Sequence, residues 1–405
     1  RSHQPMFFKR CRNRILIQAV IVIFLFCCVA MYYCSPALKE FSFYSTSHKT
    51  EIINLDALLD QPFYRDNCFD GKLESSLSQL PDNLERWSKA YNRKCQILWR
   101  KFHTMFKVNV REGGISFPTT FIKKVRQWLG ENDELLKEAY NQKIIEVYNH
   151  YNHEQTVFNL LRSKRPTSIS NQDPKEYVRK LDEETKESCD FCHYKTSTAE
   201  DIFGRIESHS SKHNPLNLSE EEFVDLFNTS VKWFKKANSV DKESCYPMMI
   251  YDTLPKGGAS QFHPHAHGFL ATQYLSHIKI QSDAASAYRD ENGSEFWNDF
   301  IEIHHALGLT VRFGDAIALS PLTPVREHEV ILLSNYPNTD IFRLFYYVIQ
   351  TYYQKLKRMC FSTGIAYPIM CSDINKDSLP TLVRIGTRGQ CNSYTNDVSS
   401  LELYL

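Results

Sequence analysis

The run Phe262-His263-Pro264-His265-Ala266-His267-Gly268-Phe269-Leu270 constrains this chain more than any other feature. Alternate side chains of an extended backbone project to one face, so the fold must supply a strand that presents three imidazoles in a row, with Pro264 fixing the backbone between the first two. Imidazole is largely neutral near pH 7 and attacks an electrophile without a separate base removing its proton. The row therefore predicts covalent catalysis, and phosphorus is the electrophile that suits it.

Just upstream, Gly257-Gly258-Ala259-Ser260-Gln261 is a tight loop of small residues whose amides, with the Ser260 hydroxyl, can cradle phosphate oxygens. Cys189-Asp190-Phe191-Cys192 has the spacing of a zinc knuckle and needs two further ligands. His213 and His263 are the best candidates, with His209 as a substitute for His213. A tetrahedral site of Cys189, Cys192, His213 and His263 leaves His265 to react. The competing reading is a disulfide or redox pair of Cys189 and Cys192, which an oxidising compartment favours. His304, His305 and His328 read as structural or solvated.

Near the start, Ile15 to Tyr33 contains one strongly polar side chain, Gln18, and no charge, a length that can span a bilayer. Lys9, Arg10, Arg12 and Arg14 precede it, whereas the other flank opens with only Lys39. This bias predicts a single-pass type II anchor with residues 1–14 cytosolic and the rest lumenal, in the Golgi or endoplasmic reticulum. A secretory signal cleaved near Ser35-Pro36-Ala37 is the alternative, although the run exceeds the roughly 7–15 residues of a signal core. The sequons at Asn217, Asn228 and Asn292 agree with a lumenal glycoprotein. With 48 basic and 47 acidic residues, the formal charge of +1 excludes the broad basic surface that binds nucleic acid. Any anion is held locally. Cys68, Cys95, Cys245, Cys360, Cys371 and Cys391 remain for disulfides, in a pairing that spacing does not reveal.

Residues 34–60 are weakly periodic, as in a stalk. From 61 to 163 the pattern reads as helical, notably Asn83 to Phe106 and Phe121 to Tyr151, and Lys164 to Lys180 reads as a linker, so that 61–180 is a helical region and linker. Beyond it lie short strands around single helices. Ser219-Glu220-Glu221-Glu222 starts a helix, followed by strands at YPMMIYDTL and at the histidine row. A second set comprises LTVRFG, AIALSPLT and EVILLS, then a long helix from Thr339, then TGIAYPIM and PTLVRIGT. Two units of antiparallel sheet with packed helices make an α+β fold. The second unit has VRIGTRG where a histidine row would stand, so one active centre per chain follows.

Over roughly residues 185–405, FHPHAHGFL resembles the active-site strand of the galactose-1-phosphate uridylyltransferases, within the wider histidine-triad superfamily. The resemblance implies two histidine-triad-like (HIT-like) units, 181–285 with the zinc and triad motifs and 286–405 without a triad. It also implies a uridylyltransferase-like nucleotidyltransferase of galactose metabolism, with a nucleotide sugar and a hexose 1-phosphate or phosphate as substrates, zinc as cofactor, and compatibility with a homodimer. In that family the motif is His-Pro-His-x-Gln. Its first histidine helps bind zinc and its second is nucleotidylated, roles that fall on His263 and His265, with zinc completed by Cys189, Cys192 and His213. The family's phosphate-contacting serine corresponds to Ser260, beside Gly257, Gly258 and Gln261 as substrate-binding positions. His267 stands where the family has glutamine and resembles the small histidine-triad hydrolases and the hexose-nucleotide phosphorylases, which makes phosphorylase or hydrolase activity the alternative. The short interval of 193–212 adds a third reading, an inactive nucleotide-binding scaffold. Charge alone suggests Arg384 or Arg388 as a phosphate contact.

Overall fold

Three helices open the described chain: α1 (Gln61–Cys68), α2 (Leu80–Ser88) and α3 (Arg93–Met105). The Cys68–Cys95 disulfide joins the end of α1 to α3, with Cα atoms 5.4 Å apart. Phe69, Trp87 and Phe102 pack between them. This computed structural model describes residues 51–161, 173–204, 212–371 and 379–391. Within the expected 34–60 stalk, Ile53 and Leu55 are buried against the body, and the Ile53 amide donates to Asn335 Oδ1 at 2.8 Å.

The helical reading of 61–163 is corrected after Met105. Strand β1 (Phe106–Gly114), helices α4 (Thr119–Trp128) and α5 (Asp133–Tyr140), and strands β2 (Asn141–Asn149) and β3 (Gln155–Asn159) follow, the strands forming a three-stranded antiparallel sheet. The apolar residues there are β-branched and find partners across the ladder, Val108 opposite Val147 and Val110 opposite Ile145. The expected linker is shortened as well. Residues 162–172 lie outside the described residues, and α6 (Pro174–Thr185) then begins with Asp173 accepting from the Lys175 amide and proline at the first helical position.

After the short α7 (Tyr194–Ser197) comes α8 (Glu220–Val240), capped as its sequence predicts: Ser219 accepts from the Glu222 amide while the Glu222 carboxylate accepts from the Ser219 amide. The remaining elements are β4 (Tyr246–Asp252), β5 (His267–Ala271), α9 (Ser276–Asn292), α10 (Phe296–Ala306), β6 (Thr310–Phe313), β7 (Ala316–Leu319), β8 (Val330–Ser334), α11 (Thr339–Thr351), β9 (Phe361–Ala366) and β10 (Thr381–Thr387). Their strands form one antiparallel sheet in the order β5-β4-β9-β10-β8-β7-β6.

Consecutive residues of its central strands are buried on opposite faces, which is why these strands read as unbroken apolar runs. Met249, Tyr251, Ile365 and Val383 meet Phe223 and Phe227 of α8 and Phe342 and Phe345 of α11. Met248, Leu333 and Leu382 join Tyr288, Trp297 and Phe300 of α9 and α10, together with the core of α1 to α3. The two strand sets expected from sequence thus share one sheet, joined where β4 pairs β9. A second disulfide, Cys245–Cys371, ties the residue before β4 to a residue beyond β9.

No helix among the described residues is long and apolar enough to cross a membrane, which corrects the expected membrane-spanning element of the fold. At 21 residues α8 has the length, but Glu220, Glu221, Glu222, Asp225, Lys232, Lys235 and Lys236 make it amphipathic. The run 15–33 and the tail 1–14 lie outside the described residues. The type II topology, the lumenal placement and the membrane contact lose their structural basis with this correction.

One buried charge network ties the small sheet to the large one. Glu154, in the turn between β2 and β3, is 5% exposed and accepts from Gln281 Nε2 at 3.0 Å and Thr323 Oγ1 at 3.1 Å. It pairs with Arg384 Nη1, and Arg384 Nε binds Glu329 Oε1 at 2.6 Å. His277 Nε2 lies 3.0 Å from Arg384 Nη1 and 3.6 Å from Glu154 Oε1. Burial opposes the Glu154 charge, but Arg384 and His277 together hold its carboxyl at about 2, below its ordinary 4.5. A carboxylate depressed in the fold contributes stability above its unfolded value and loses it as pH falls toward the folded value. Glu154→Gln is therefore expected to cost about 2–3 kcal/mol in urea unfolding at pH 7. The gap between parent and variant should narrow between pH 4.5 and pH 2. An unchanged gap at pH 3 would show that the carboxylate does not carry this stability.

Candidate active site

The Cys189-to-Cys192 turn follows α6, and the segment 212–217 brings His213 back beside that helix. His263 arrives from the segment just before β5. Cys189, Cys192, His213 and His263 thereby offer four ligand atoms within 4.8 Å of one another. Cys189 Sγ lies 3.5 Å from His263 Nδ1, and Cys192 Sγ lies 3.3 Å from His213 Nδ1 and 3.6 Å from His263 Nδ1. A tetrahedral ion at about 2.3 Å from sulfur and about 2.0–2.1 Å from nitrogen separates sulfur from nitrogen by about 3.5 Å. The donor set fits a metal ion, and the expected disulfide alternative is absent, since Cys189 and Cys192 are not bonded to each other.

The surroundings orient the ligands. Thr185 Oγ1 donates to the Leu181 carbonyl at 2.6 Å and sits 2.9 Å from His213 Nε2, so that nitrogen carries the proton and Nδ1 faces the thiols with its lone pair. Burial pushes the Cys192 thiol up to about 11 and, with His213 and His265 nearby, the His263 imidazole down to about 4. Both groups are kept neutral by the protein alone, and metal binding would expel the thiol protons. His209, the substitute ligand, lies outside the described residues.

Of the histidine row, only His267 lies within β5; His263, in a bend, and His265 stand in the irregular segment that leads into it. The row is nonetheless continuous. Phe191, from the cysteine turn, packs edge-on against His263 and His265 with centroids 5.8 Å and 5.1 Å away, and His265 and His267 are 5.0 Å apart. His265 Nδ1 lies 2.7 Å from the His263 carbonyl. Its Nε2 faces Ser260 Oγ at 3.5 Å. Burial lowers the His265 proton affinity, favouring the neutral ring.

The small-residue loop closes over the same place. Gly257 is buried so tightly on β9 that a Cβ would fall 2.9 Å from the Phe361 carbonyl oxygen. Gly258 has φ of +110°, a left-handed conformation for which glycine is suited, and lies over the Asp252 carboxylate. Ser260 and Gln261 are exposed at the loop's end. The two arginines divide. Arg384 is spent on Glu154 and Glu329 within the buried network, whereas Arg388 acts on Asp252 beside the loop. Sequence reasoning passed over Thr185, Phe191, Asp252 and Ser362. Of these Asp252 had a signal, a carboxylate ending the apolar run Pro247 to Tyr251 in register with the site face. His304 has the structural role expected of it, with Nδ1 2.7 Å from the Phe300 carbonyl and Nε2 accepting from the Leu322 amide.

No protein family and no curated protein matches the sequence. Among solved structures, a GalT-like protein from Arabidopsis thaliana aligns at 12% identity over 49% of this chain and 67% of its own, with a TM-score of 0.40. A uridylyltransferase mutant aligns at 12% identity over 49% of this chain and 69% of its own, with a TM-score of 0.41. An ADP-glucose phosphorylase from Arabidopsis thaliana, with bound ADP-glucose, aligns at 12% identity over 62% and 89%, with a TM-score of 0.45. Likeness of this extent leaves the chemistry to be argued from the site itself.

Elemental analysis of the purified chain is expected to find one divalent ion per molecule. Cys192→Ala and His213→Ala should each lose it and unfold about 5–10 °C lower, as should the parent stripped by a strong chelator. Undiminished metal in both variants would remove the assignment.

Proposed function

We propose that the chain is a nucleotidyltransferase acting on nucleoside diphosphate sugars through a nucleotidyl-His265 intermediate, with zinc as the ion of the cluster. Two thiolates and two imidazoles in tetrahedral array are the donor set zinc prefers for a structural role. When bound, zinc supplies a fixed anchor for the His263 ring.

The observation that carries the proposal is the contact of His265 Nδ1 with the His263 carbonyl at 2.7 Å. A carbonyl oxygen only accepts, so Nδ1 holds the ring proton and Nε2 presents a lone pair toward Ser260 and the loop. His265 Nε2 attacks the α-phosphorus and the bond from that phosphorus to the bridging oxygen breaks. Sugar 1-phosphate leaves. The acceptor, a hexose 1-phosphate or inorganic phosphate, then attacks through oxygen, the phosphorus–nitrogen bond breaks and Nε2 regains its lone pair. Ser260 stabilises charge on the non-bridging oxygens, the Gly257 and Gly258 amides being taken by the Leu254 and Pro255 carbonyls, and His267 adds a contact at the edge of the row. Arg388 rather than Arg384 would hold a phosphate, because the Arg384 guanidinium is already neutralised by two carboxylates.

The test uses UDP-hexose labelled at the α-phosphate. The parent is expected to trap label on His265, and His265→Gly to trap none and to turn over at least about 10³-fold more slowly. Label mapped to another residue would sink the mechanism. Chasing the trapped protein identifies the acceptor: a new nucleotide sugar with hexose 1-phosphate, nucleoside diphosphate with phosphate, or nucleoside monophosphate with water alone. A folded parent that never takes label would mark an inactive scaffold.

A further inference from the structure

Cys360 immediately precedes β9, and Cys391 lies just beyond β10. Both are thiols in this structure, and both are buried, at 0% and 6% exposure. The ladder between the two strands ends with Phe361 opposite Thr387, and one step further the Arg388 amide donates to the Cys360 carbonyl at 2.9 Å. The chain then bends at Gly389, whose φ of +68° is a left-handed conformation that glycine adopts without strain, and Cys391 returns to the interior.

That interior is the one that holds Cys360. A small core cluster, separate from the two that flank the large sheet, contains both cysteines together with Leu254 and Phe262, which bracket the small-residue loop. Tyr177 of α6 packs on the same cluster. Burial raises the proton affinity of its phenol, and Cys360 and Cys391 each raise it further, so both sulfurs lie within electrostatic reach of one hydroxyl. Register, burial and the shared cluster thus gather two thiols at the open end of one strand pair. The chain already uses a disulfide at the other end, where Cys245–Cys371 ties a residue beyond β9 to the start of β4. A bond between Cys360 and Cys391 would tie the beginning of β9 to the exit of β10.

We infer that Cys360 and Cys391 close as a third disulfide when the chain meets a small-molecule disulfide such as oxidised glutathione. Cys391, the less deeply buried, attacks one glutathione sulfur as its thiolate. The glutathione sulfur–sulfur bond breaks, a mixed disulfide forms on Cys391 and one glutathione thiolate leaves. Cys360 then attacks the Cys391 sulfur and releases the second glutathione. The two cysteine protons pass to the departing thiolates, and the two electrons lost by the cysteines reduce one glutathione disulfide to two thiols. The bond fixes residues 388–391, and Arg388 with them, against the core beneath the loop.

The test incubates the full chain with oxidised glutathione, unfolds it in urea with iodoacetamide and maps the peptides after trypsin and chymotrypsin. Phe361 and Tyr367 lie between Cys360 and Cys371, so this digestion separates the two cysteines. The expected result is a crosslinked peptide that joins Cys360 to Cys391 and disappears on reduction, with an unfolding temperature raised by about 5 °C. Cys360→Ser and Cys391→Ser should each give neither the peptide nor the rise. Alkylation of both thiols in the parent overturns the inference. So does glutathione left on either cysteine without the crosslink, or Cys391 bonded to a cysteine other than Cys360. These overturning results are read in the parent and hold whether or not the serine variants fold.

Discussion

The ladder between β4 and β9, from Met248 opposite Ala366 to Asp252 opposite Ser362, is the constraint on which the rest of the molecule depends. It merges two sets of strands that are far apart in sequence into one sheet. It also gives each face of that sheet a continuous core, α8 and α11 on one side and α9, α10 and the N-terminal helices on the other. The far end of the same ladder holds the loop. Gly257 rests on the Phe361 backbone and Gly258 on the Asp252 carboxylate, so the register that builds the core also sets the height of the loop above the histidine row.

From that ladder a chain of short contacts leads to the chemistry. The cysteine turn and His213 converge on His263, and the His263 carbonyl selects the tautomer of His265. Phe191 sits against both rings and belongs to the cysteine turn itself. A change at the cluster is therefore felt at Nε2 of His265 through one backbone carbonyl and one aromatic ring. The electrostatics are arranged on the same scale: burial favours the neutral His265 ring, Arg388 lies near Asp252, and Arg384 is set apart with its own two carboxylates.

Much of the site is legible in sequence because its parts are local. The Cys-x-x-Cys spacing, the alternating histidines and the Gly-Gly-x-Ser loop each encode their geometry within a few residues, as does the capping box at Ser219. Local reading failed where a segment had two acceptable periods. Residues 141–149 carry apolar side chains compatible with a helix, but their β-branched members pair with β1 once that strand is present. Charge alone could not choose between Arg384 and Arg388, because the choice depends on Glu154, more than two hundred residues away in sequence.

By itself, then, the sequence determined the donor types, the presence of an alternating histidine row beside a small-residue loop, and most strands and helices of the C-terminal half. Each follows from backbone period and side-chain chemistry within a short window. Only the tertiary structure decided that His213 meets the cysteine turn, that Cys68 pairs with Cys95 and Cys245 with Cys371, that the strand sets form one sheet, and that Asp252 lies beneath the loop. These are pairings between distant segments, chosen by which apolar faces cover the sheet and which buried charges find partners, and a local window contains neither.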